Sequence, residues 1–246
     1  MNDTPDTLAH LDSQREVWNA KPLIRELYAH YHELMLGHCI PGSVVEIGTG
    51  CGSLKSYEGG VVSLDVVNSP WVDIVADAQA LPFESESVDN LVMLDVLHHI
   101  PHPTLFLDEA ARVLRAGGKL VMLEPGITPL SQIFYTHLHP EPVDLKADVF
   151  APQPLSSDDP FASNQAIPTL LFVRNRHALT ERLRMLQITQ TEWLGPFSYP
   201  LSGGFRPWRL LTSRTLRALL LLERYLPTTV LKLLAFRLLT VMEKRL

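Results

Sequence analysis

The sequence predicts an α/β fold with an open, largely parallel sheet, and three observations support this prediction. Short apolar runs recur through the first half of the chain, and several of them end in an acidic residue. A glycine-rich loop directly follows the first of these runs. Strands of a parallel sheet are covered on both faces and have this continuous apolar character, and such sheets bind ligands at the carboxyl ends of their strands.

The first strand and its loop occupy residues 44–52, with the sequence Val-Val-Glu-Ile-Gly-Thr-Gly-Cys-Gly. Glycine lets the backbone turn sharply and come close to a ligand, because no Cβ is in the way. A dinucleotide fingerprint requires Gly-x-Gly-x-x-Gly, whereas here the third glycine comes one residue early and Ser53 occupies its place. The loop therefore predicts a site for a nucleotide-like ligand, with a tight turn that binds nothing as the alternative.

Two further apolar runs end in carboxylates, Asp65 and Asp77. A carboxylate at a strand end can accept two hydrogen bonds from a ribose diol, or it can simply cap the strand. Residues 87–100 contain a fourth strand that leads into a His-His pair, and residues 112–125 carry Arg-Val-Leu-Arg-Ala-Gly-Gly before a fifth strand. The order of these elements predicts alternating strands and helices.

Together these motifs resemble the class I S-adenosylmethionine-dependent methyltransferases, of the small-molecule type. The resemblance covers about residues 40–126 and depends on Glu-x-Gly-x-Gly-x-Gly at 46–52, Asp-Ala-x-x-Leu-Pro-Phe at 77–83 and the motifs at 98–99 and 112–118. It implies a Rossmann-like doubly wound sheet of the class I methyltransferase type, S-adenosyl-L-methionine as the cofactor and methyl transfer as the reaction.

The resemblance also implies a set of cofactor contacts. The three glycines would line the methionine part, and Glu46 would help to hold its amino group. Asp65 would bind the ribose hydroxyls, Val66 would pack on the adenine, and Asp77 would meet the adenine amine. Asp95 would lie below the methyl group, unless it caps the helix that follows. The implied cofactor-binding residues are Glu46, Gly48, Gly50, Gly52, Asp65, Val66, Asp77, Ala78 and Asp95.

His98 and His99 are the candidate catalytic residues, because they follow the fourth strand and histidine titrates near neutral pH, as a general base requires. Since sequence neighbours point apart, we expect at most one of them to face the acceptor, and a structural role for both remains the alternative. The Asn/Asp-Pro-Pro-Tyr signature of amide methylation is absent after the fourth strand. An oxygen or carbon atom of a small-molecule, lipid-linked or sugar-linked acceptor is therefore favoured.

Two other functions remain open. One is an NAD-dependent oxidoreductase, against which Ser53 argues. The other is a non-catalytic, membrane-associated binding protein that retains the fold. Only twelve residues separate Gly52 from Asp65, so the first helix of the domain is expected to be a stub at residues 53–57. This stub would reshape the wall near the methionine end of the cofactor.

The sequence divides into three parts. Residues 1–40 have helical spacing, residues 41–204 form the predicted methyltransferase domain, and residues 205–246 form a leucine-rich helical extension that Pro227 divides. Within the domain, residues 127–165 are predicted to form a lid insertion, and prolines are too dense at residues 136–161 for regular structure there. The sixth strand is expected at residues 188–194, and residues 197–201 are the best candidate for a seventh.

The extension has nine basic and two acidic residues, a net charge of +7, which leaves −13 for the rest of the chain. It is predicted either to pack on the sheet or on a second subunit in a homodimer, or to lie on an anionic membrane. Nucleic acid is not expected as a partner, because the main body is acidic and would repel phosphate.

Two cysteines are too few for a disulfide framework, and the polar start of the sequence does not resemble a signal peptide. We therefore expect a cytoplasmic enzyme, with contact at the inner face of the membrane as an extension of that prediction. No metal site is expected, because His137 and His139 are isolated from cysteine and carboxylate partners.

Overall fold

The computed structural model describes residues 5–155 and 159–245. Its seven strands form one sheet in the order β3-β2-β1-β4-β5-β7-β6. The first five strands pair in parallel, whereas β7 runs antiparallel to both of its neighbours. The strands are β1 (Val44–Ile47), β2 (Val62–Asp65), β3 (Ile74–Val75), β4 (Val88–Leu94), β5 (Leu114–Pro125), β6 (Leu186–Leu194) and β7 (Arg237–Lys244).

Helices cover both faces of the sheet, and two apolar clusters fill the space between the layers. Phe106 and Leu107 bring α4 into one cluster, while Leu23 and Leu27 bring α2 into the other. A 3₁₀ turn spans Leu97–His99, and a π-helical turn spans Leu170–Arg174. The helices are α1 (Pro5–Ala20), α2 (Pro22–Leu36), α3 (Ser53–Tyr57), α4 (Pro103–Val113), α5 (Pro129–Leu138), α6 (Ile167–Thr169), α7 (Arg176–Arg182), α8 (Ser198–Ser202), α9 (Ser213–Glu223) and α10 (Thr228–Leu234).

Several local predictions are confirmed. The lead-in at residues 1–40 contains α1 and α2, and the expected stub helix is α3, with the predicted bounds. The sixth strand is β6. In the lid, the described residues from 139 to 166 contain no helix or strand, although residues 136–138 still belong to α5.

The seventh strand is not where the sequence predicted it. The candidate segment at 197–201 overlaps the short helix α8, and the seventh strand is β7, inside the extension that was predicted to be helical. The apolar run Leu238–Met242 is buried on both faces of the sheet, so it lacks the alternation of a half-exposed strand. The two helices separated by Pro227 are present as α9 and α10. The extension therefore belongs partly to the sheet, and the other domain boundaries stay predictions.

Membrane-spanning segments are not found in the described part of the chain, since no helix there is both long and apolar enough to cross a bilayer. Cys39 and Cys51 are free thiols.

Candidate active site

A cavity of about 730 Å³ lies at the carboxyl ends of β1, β2 and β4 and extends to the lid. Its lining includes the glycine loop after β1, the 3₁₀ turn and the loop after α5. All predicted site residues line this cavity except Gly52. Those that line it are Glu46, Gly48, Gly50, Asp65, Val66, Asp77, Ala78, Asp95, His98 and His99.

The three loop glycines all have positive φ, at +73° for Gly48, +52° for Gly50 and +71° for Gly52. A Cβ on Gly48 would lie 2.3 Å from Val96 Cγ2, and one on Gly52 would lie 2.6 Å from Trp71. A Cβ on Gly50 would meet nothing within 4 Å. The backbone at Gly50 therefore faces open space, as a cradle for a ligand requires.

Asp65 holds this loop in place. Its Oδ2 accepts the Gly50 N–H at 3.0 Å, and its Oδ1 accepts the Val67 N–H at 3.0 Å. Burial raises the pKa of the Asp65 carboxyl, and these backbone donors oppose the rise. The backbone N–H groups of Thr49 and Val66 also act on this carboxyl, whose two oxygens offer about four acceptor positions in all.

The outer side of the loop is braced by two residues that the motifs did not identify. Trp71 Nε1–H donates to the Gly50 carbonyl at 2.6 Å, and Arg15 Nη1 donates to the Cys51 carbonyl at 2.6 Å. The Arg15 guanidinium also lies 5.2 Å from the centre of the Trp71 ring. Arg15 lies on α1, and other residues of this helix, such as Leu11 and Gln14, line the cavity. No sequence motif signals this contact, because it depends on how α1 packs.

Glu46 is buried at the base of the cavity, where Ser63 Oγ donates to its Oε2 at 3.2 Å. Burial raises the pKa of Glu46 to about 8, and the nearby charge of Asp65 adds to the rise. Asp77 is exposed, and its Oδ1 accepts the Gln79 N–H at 2.8 Å. Asp77 thus caps a turn, the local role that the sequence left as an alternative, while its side chain still lines the cavity.

Asp95 has a positive φ of +59° and faces a buried cation. Arg237 Nη1 lies 2.6 Å from Asp95 Oδ1, and Tyr28 OH donates to Asp95 Oδ2 at 3.4 Å. The residue that precedes the 3₁₀ turn is Val96, and the first N–H groups of the turn are accepted by Glu124 rather than by Asp95. The N-cap alternative for Asp95 is therefore wrong, because its carboxylate is paired with Arg237 instead.

Arg237 comes from β7 and is only 1% exposed. Its guanidinium lies 4.9 Å from the Tyr199 ring centre and 5.6 Å from that of Tyr31. Burial lowers the pKa of Arg237, but the charge and hydrogen bond of Asp95, together with Tyr199 and Tyr31, outweigh burial and raise it. Arg237 was missed as a site residue because its segment was predicted to be a basic helix.

The two histidines lie side by side, with their ring centres 4.1 Å apart. The expectation that they point apart is wrong, because each ring is held by its own partner at the same cavity wall. His98 Nδ1 lies 2.8 Å from Glu124 Oε2, and His99 Nδ1 lies 3.2 Å from the Ala162 carbonyl oxygen.

Carboxylates face both ring nitrogens of His98, since its Nε2 lies 3.3 Å from Glu141 Oε2. Burial lowers the pKa of His98, but hydrogen bonds and charges from Glu124 and Glu141 outweigh burial and raise it to about 10. Burial, aided by the charge of His98, lowers the pKa of His99 to about 4. This arrangement disfavours His98 as a proton acceptor at neutral pH, and the catalytic roles of both histidines stay predictions.

His98, His99 and Glu141 also form a group that the sequence did not predict. Each offers one potential ligand atom, and these atoms lie within 4.8 Å of one another. The expectation that no metal-ligating cluster exists considered His137 and His139 alone. It missed this group because Glu141 lies in the lid, far along the chain from the histidine pair.

The chain matches the family model of a methyltransferase domain over residues 56–122. A stretch of 55 residues is 47% identical to phthiotriol/phenolphthiotriol dimycocerosates methyltransferase 1 of Mycobacterium ulcerans, and covers 22% of this chain and 20% of that protein. Another stretch of 57 residues is 39% identical to the ubiquinone/menaquinone biosynthesis C-methyltransferase of Bartonella bacilliformis, and covers 23% of this chain and 22% of that one. The matched stretches thus span about a fifth of these relatives' length.

The fold is similar to that of geranyl diphosphate C-methyltransferase from Streptomyces coelicolor, whose structure contains S-adenosyl-L-homocysteine. The TM-score is 0.52 and the identity 14%, over 90% of this chain and 80% of that one. The family match and the fold confirm the resemblance to class I S-adenosylmethionine-dependent methyltransferases and imply S-adenosylmethionine as the cofactor. The open backbone at Gly50 and the Asp65 carboxylate in the cavity wall fit that cofactor.

Proposed function

We propose that this chain, which has the class I methyltransferase fold, transfers a methyl group from S-adenosylmethionine to an oxygen or carbon atom of a small-molecule, lipid-linked or sugar-linked acceptor. The observation that carries the proposal is the single cavity that joins the glycine loop to the lid. One end offers backbone and carboxylate groups, and the other end offers aromatic and apolar side chains.

In the cofactor half of the cavity, the residues bind and orient the cofactor. Gly48 and Gly50 bring the backbone to the methionine part, and Asp65 accepts hydrogen bonds from the ribose hydroxyls. Val66, which is 38% exposed at the cavity wall, packs against the adenine. Glu46 lies at the base, where an ammonium group would favour its ionised form. The bound cofactor supplies an already activated methyl group.

The acceptor half lies between β4, α2 and the lid. Tyr28, Phe134, Phe161 and Tyr199 line it, and Asp95 stands between this half and the cofactor half. Such a surface suits an organic acceptor with a large apolar part. The two relatives are named for a dimycocerosate lipid and for a quinone. Their names support this class of acceptor without identifying it.

The protein's contribution to such a reaction is chiefly positional. Holding the acceptor atom in line with the methyl carbon removes an entropic barrier of about 7–11 kcal/mol. The Asp95–Arg237 pair and the Tyr28 hydroxyl fix the floor where the two ligands meet. His99, held by the Ala162 carbonyl, keeps one ring nitrogen available at the acceptor end.

Cofactor binding is the first test, by titration calorimetry of the full chain with S-adenosylhomocysteine. Asp65→Ala should weaken binding by about 2–4 kcal/mol, because two hydrogen bonds to an ionised acceptor are lost. Asp73→Ala is the matched control, since Asp73 also accepts a backbone N–H, from Ser63 at 2.9 Å, but lies outside the cavity. Equal affinity of Asp65→Ala and the unmodified protein would show the ribose assignment to be wrong.

Methyl transfer is the second test. The chain is incubated with methyl-labelled cofactor and with lipid and aqueous extracts separately, and label should appear in an extract component. Saturable cofactor binding without transfer to either extract would favour the non-catalytic binding protein. Binding of NAD in place of S-adenosylhomocysteine would favour the oxidoreductase.

A further inference from the structure

We propose that His98, His99 and Glu141 form a binding site for one divalent transition-metal ion, at the point where the lid meets the 3₁₀ turn. One ring nitrogen from each histidine and one carboxylate oxygen would be the ligands, all within 4.8 Å of one another. The site lies in the wall of the cavity described above. The inference does not depend on the proposed methyl transfer, because metal binding needs only these side chains.

The second ring nitrogen of each histidine is already held as in many metal sites. Metal-bound histidines usually donate their other N–H to a carboxylate or a backbone carbonyl, which fixes the tautomer and the ring orientation. Here His98 Nδ1 faces Glu124 Oε2 at 2.8 Å, and His99 Nδ1 faces the Ala162 carbonyl at 3.2 Å. Donation from these Nδ1 atoms leaves Nε2 of each ring as the ligand atom.

The carboxylate behind His98 is itself fixed. Glu124 is 1% exposed, and its Oε1 accepts the Val96 N–H at 2.8 Å and the Leu97 N–H at 2.9 Å. Such an anchored acceptor keeps the His98 ring aimed at Glu141, whether or not a metal is bound.

The distance between His98 and Glu141 fits a shared metal better than a direct ion pair. A charge-assisted N–H···O bond is about 2.7–2.9 Å long, as the His98–Glu124 contact is. His98 Nε2 and Glu141 Oε2 are 3.3 Å apart. Two ligands at about 2.0–2.1 Å from a tetrahedral ion lie about 3.3–3.4 Å from each other, so the pair already has the spacing of one coordination edge.

The surroundings of Glu141 supply further support. Ser163 Oγ donates to Glu141 Oε2 at 3.1 Å, and Gln165 Nε2 donates to the same oxygen, which orients the carboxylate; a metal bound to that oxygen would replace one of these two hydrogen bonds. Gln165 Oε1 is buried in the cavity wall without a hydrogen-bond partner. An unpaired buried acceptor is costly, and a metal-bound water beside it would supply the missing donor.

The ligand set indicates the kind of metal. Two imidazoles and one carboxylate suit zinc, iron, cobalt or manganese, whereas magnesium and calcium prefer all-oxygen sites. Binding at His98 displaces the proton on its Nε2, and that proton leaves to solvent. The remaining coordination positions are open to water or to an oxygen atom of a ligand in the cavity.

The test is calorimetric titration of the full chain, stripped of metal with a chelator, with zinc and separately with manganese. We expect one saturable site per chain for at least one metal. His99→Ala and Glu141→Gln should each weaken binding at least tenfold, and His137→Ala, which removes an exposed histidine outside the cluster, should not. Binding to both cluster variants with unchanged affinity, or no saturable site in the unmodified chain, would overturn the inference.

Because loss of Glu141 could loosen the lid, each variant is also titrated with S-adenosylhomocysteine. If a variant keeps its affinity for S-adenosylhomocysteine but loses affinity for the metal, the substitution has removed a metal ligand and has not loosened the lid in general. As a second measurement on the unmodified chain, cobalt substitution should give a visible absorption band of a tetrahedral or five-coordinate site. Absence of that band at saturating cobalt would contradict the proposed ligand set.

Discussion

At the residue scale, Glu46 links the stability of the fold to pH. Burial raises its pKa to about 8, against 4.5 for the same group in the unfolded chain. Between these values the native state keeps a proton that the unfolded state has lost, so the free energy of unfolding falls as pH rises from about 4.5 to 8. The Glu46→Gln variant should lack this pH dependence, because the amide does not titrate in this range. In urea unfolding at several pH values, the free energy of unfolding of the variant should therefore rise relative to that of the unmodified protein as the pH increases to 8.

Asp65 and Lys55 also affect the pKa of Glu46, but they remain in both proteins, so the difference in pH dependence isolates Glu46 itself.

The same carboxyl provides a test of cofactor orientation. If the cofactor's ammonium group lies beside Glu46, binding near pH 7 releases a proton, which calorimetry in two buffers of different ionisation enthalpy detects. Glu46→Gln should abolish this release. Equal proton release by both proteins would place the ammonium group elsewhere.

Gly50 allows the cradle to be tested without a gross packing defect. An alanine there would meet no neighbouring atom, but its φ of +52° would cost roughly 1 kcal/mol of stability. Gly117 is a matched control, because it also has a positive φ, +78°, and open space around it. We expect both alanine variants to lose similar stability in thermal unfolding, and only Gly50→Ala to lose affinity for S-adenosylhomocysteine. Similar affinity in the two variants would mean that the ligand does not approach Gly50.

At the scale of elements, α1 is expected to support the glycine loop in place of the short α3. Arg15→Ala removes the bond to the Cys51 carbonyl and the contact with Trp71, and we expect it to weaken S-adenosylhomocysteine binding by about 1–2 kcal/mol. Arg25→Ala is the control, because Arg25 Nη1 donates to two backbone carbonyls, Trp18 at 2.7 Å and Asn19 at 2.6 Å, away from the loop. Calorimetry on both variants decides whether the effect is local; equal losses would indicate general loosening of the lead-in.

The elements that the sequence predicted correctly are those with a local signal. The strand-glycine-helix unit at 44–57 depends on apolar runs and glycine spacing, and its helix has the predicted bounds. The strand β7 had no such signal, because both of its faces are buried and its apolar run resembles that of a helix. Its position between β5 and β6 is decided by long-range pairing, such as Val121 with Val241, which a local pattern does not contain.

The candidate site divides in the same way. Residues at strand ends, such as Asp65 and Asp95, follow from the motifs and line the cavity. The partners that determine their properties come from distant segments: Arg237 from β7 and Glu141 from the lid. A histidine pair can be found in a sequence, but the two carboxylates that set the charge of His98 appear only when the chain is folded.

At the scale of the whole molecule, the basic C-terminal region has two distinct faces. One face of α9 is buried at Leu216 and Glu223, whereas α10 has no buried residue. Three large apolar side chains near the end of α9 are exposed, Leu221 at 58%, Leu222 at 64% and Tyr225 at 85%. The segment has a net charge of +7, although Arg237 and Lys244 are buried in β7, and exposed apolar side chains beside exposed basic ones are a feature of surfaces that dock on anionic membranes. Peripheral membrane contact and a homodimer both stay predictions, and this patch is where either would form.

Co-sedimentation of the full chain with lipid vesicles decides between them. We expect binding to vesicles that contain an anionic lipid, weaker binding at high salt because the arginine contribution is screened, and little binding to neutral vesicles. The double variant Leu222→Ser and Tyr225→Ser should lower the affinity on the order of tenfold, since each side chain loses buried apolar area. Leu105→Ser, which alters a 45% exposed leucine on α4, is the control. A dimer that the double variant converts to monomer, with no vesicle binding by the unmodified chain, would assign the patch to a second subunit, because a surface buried between two copies is not available to lipid.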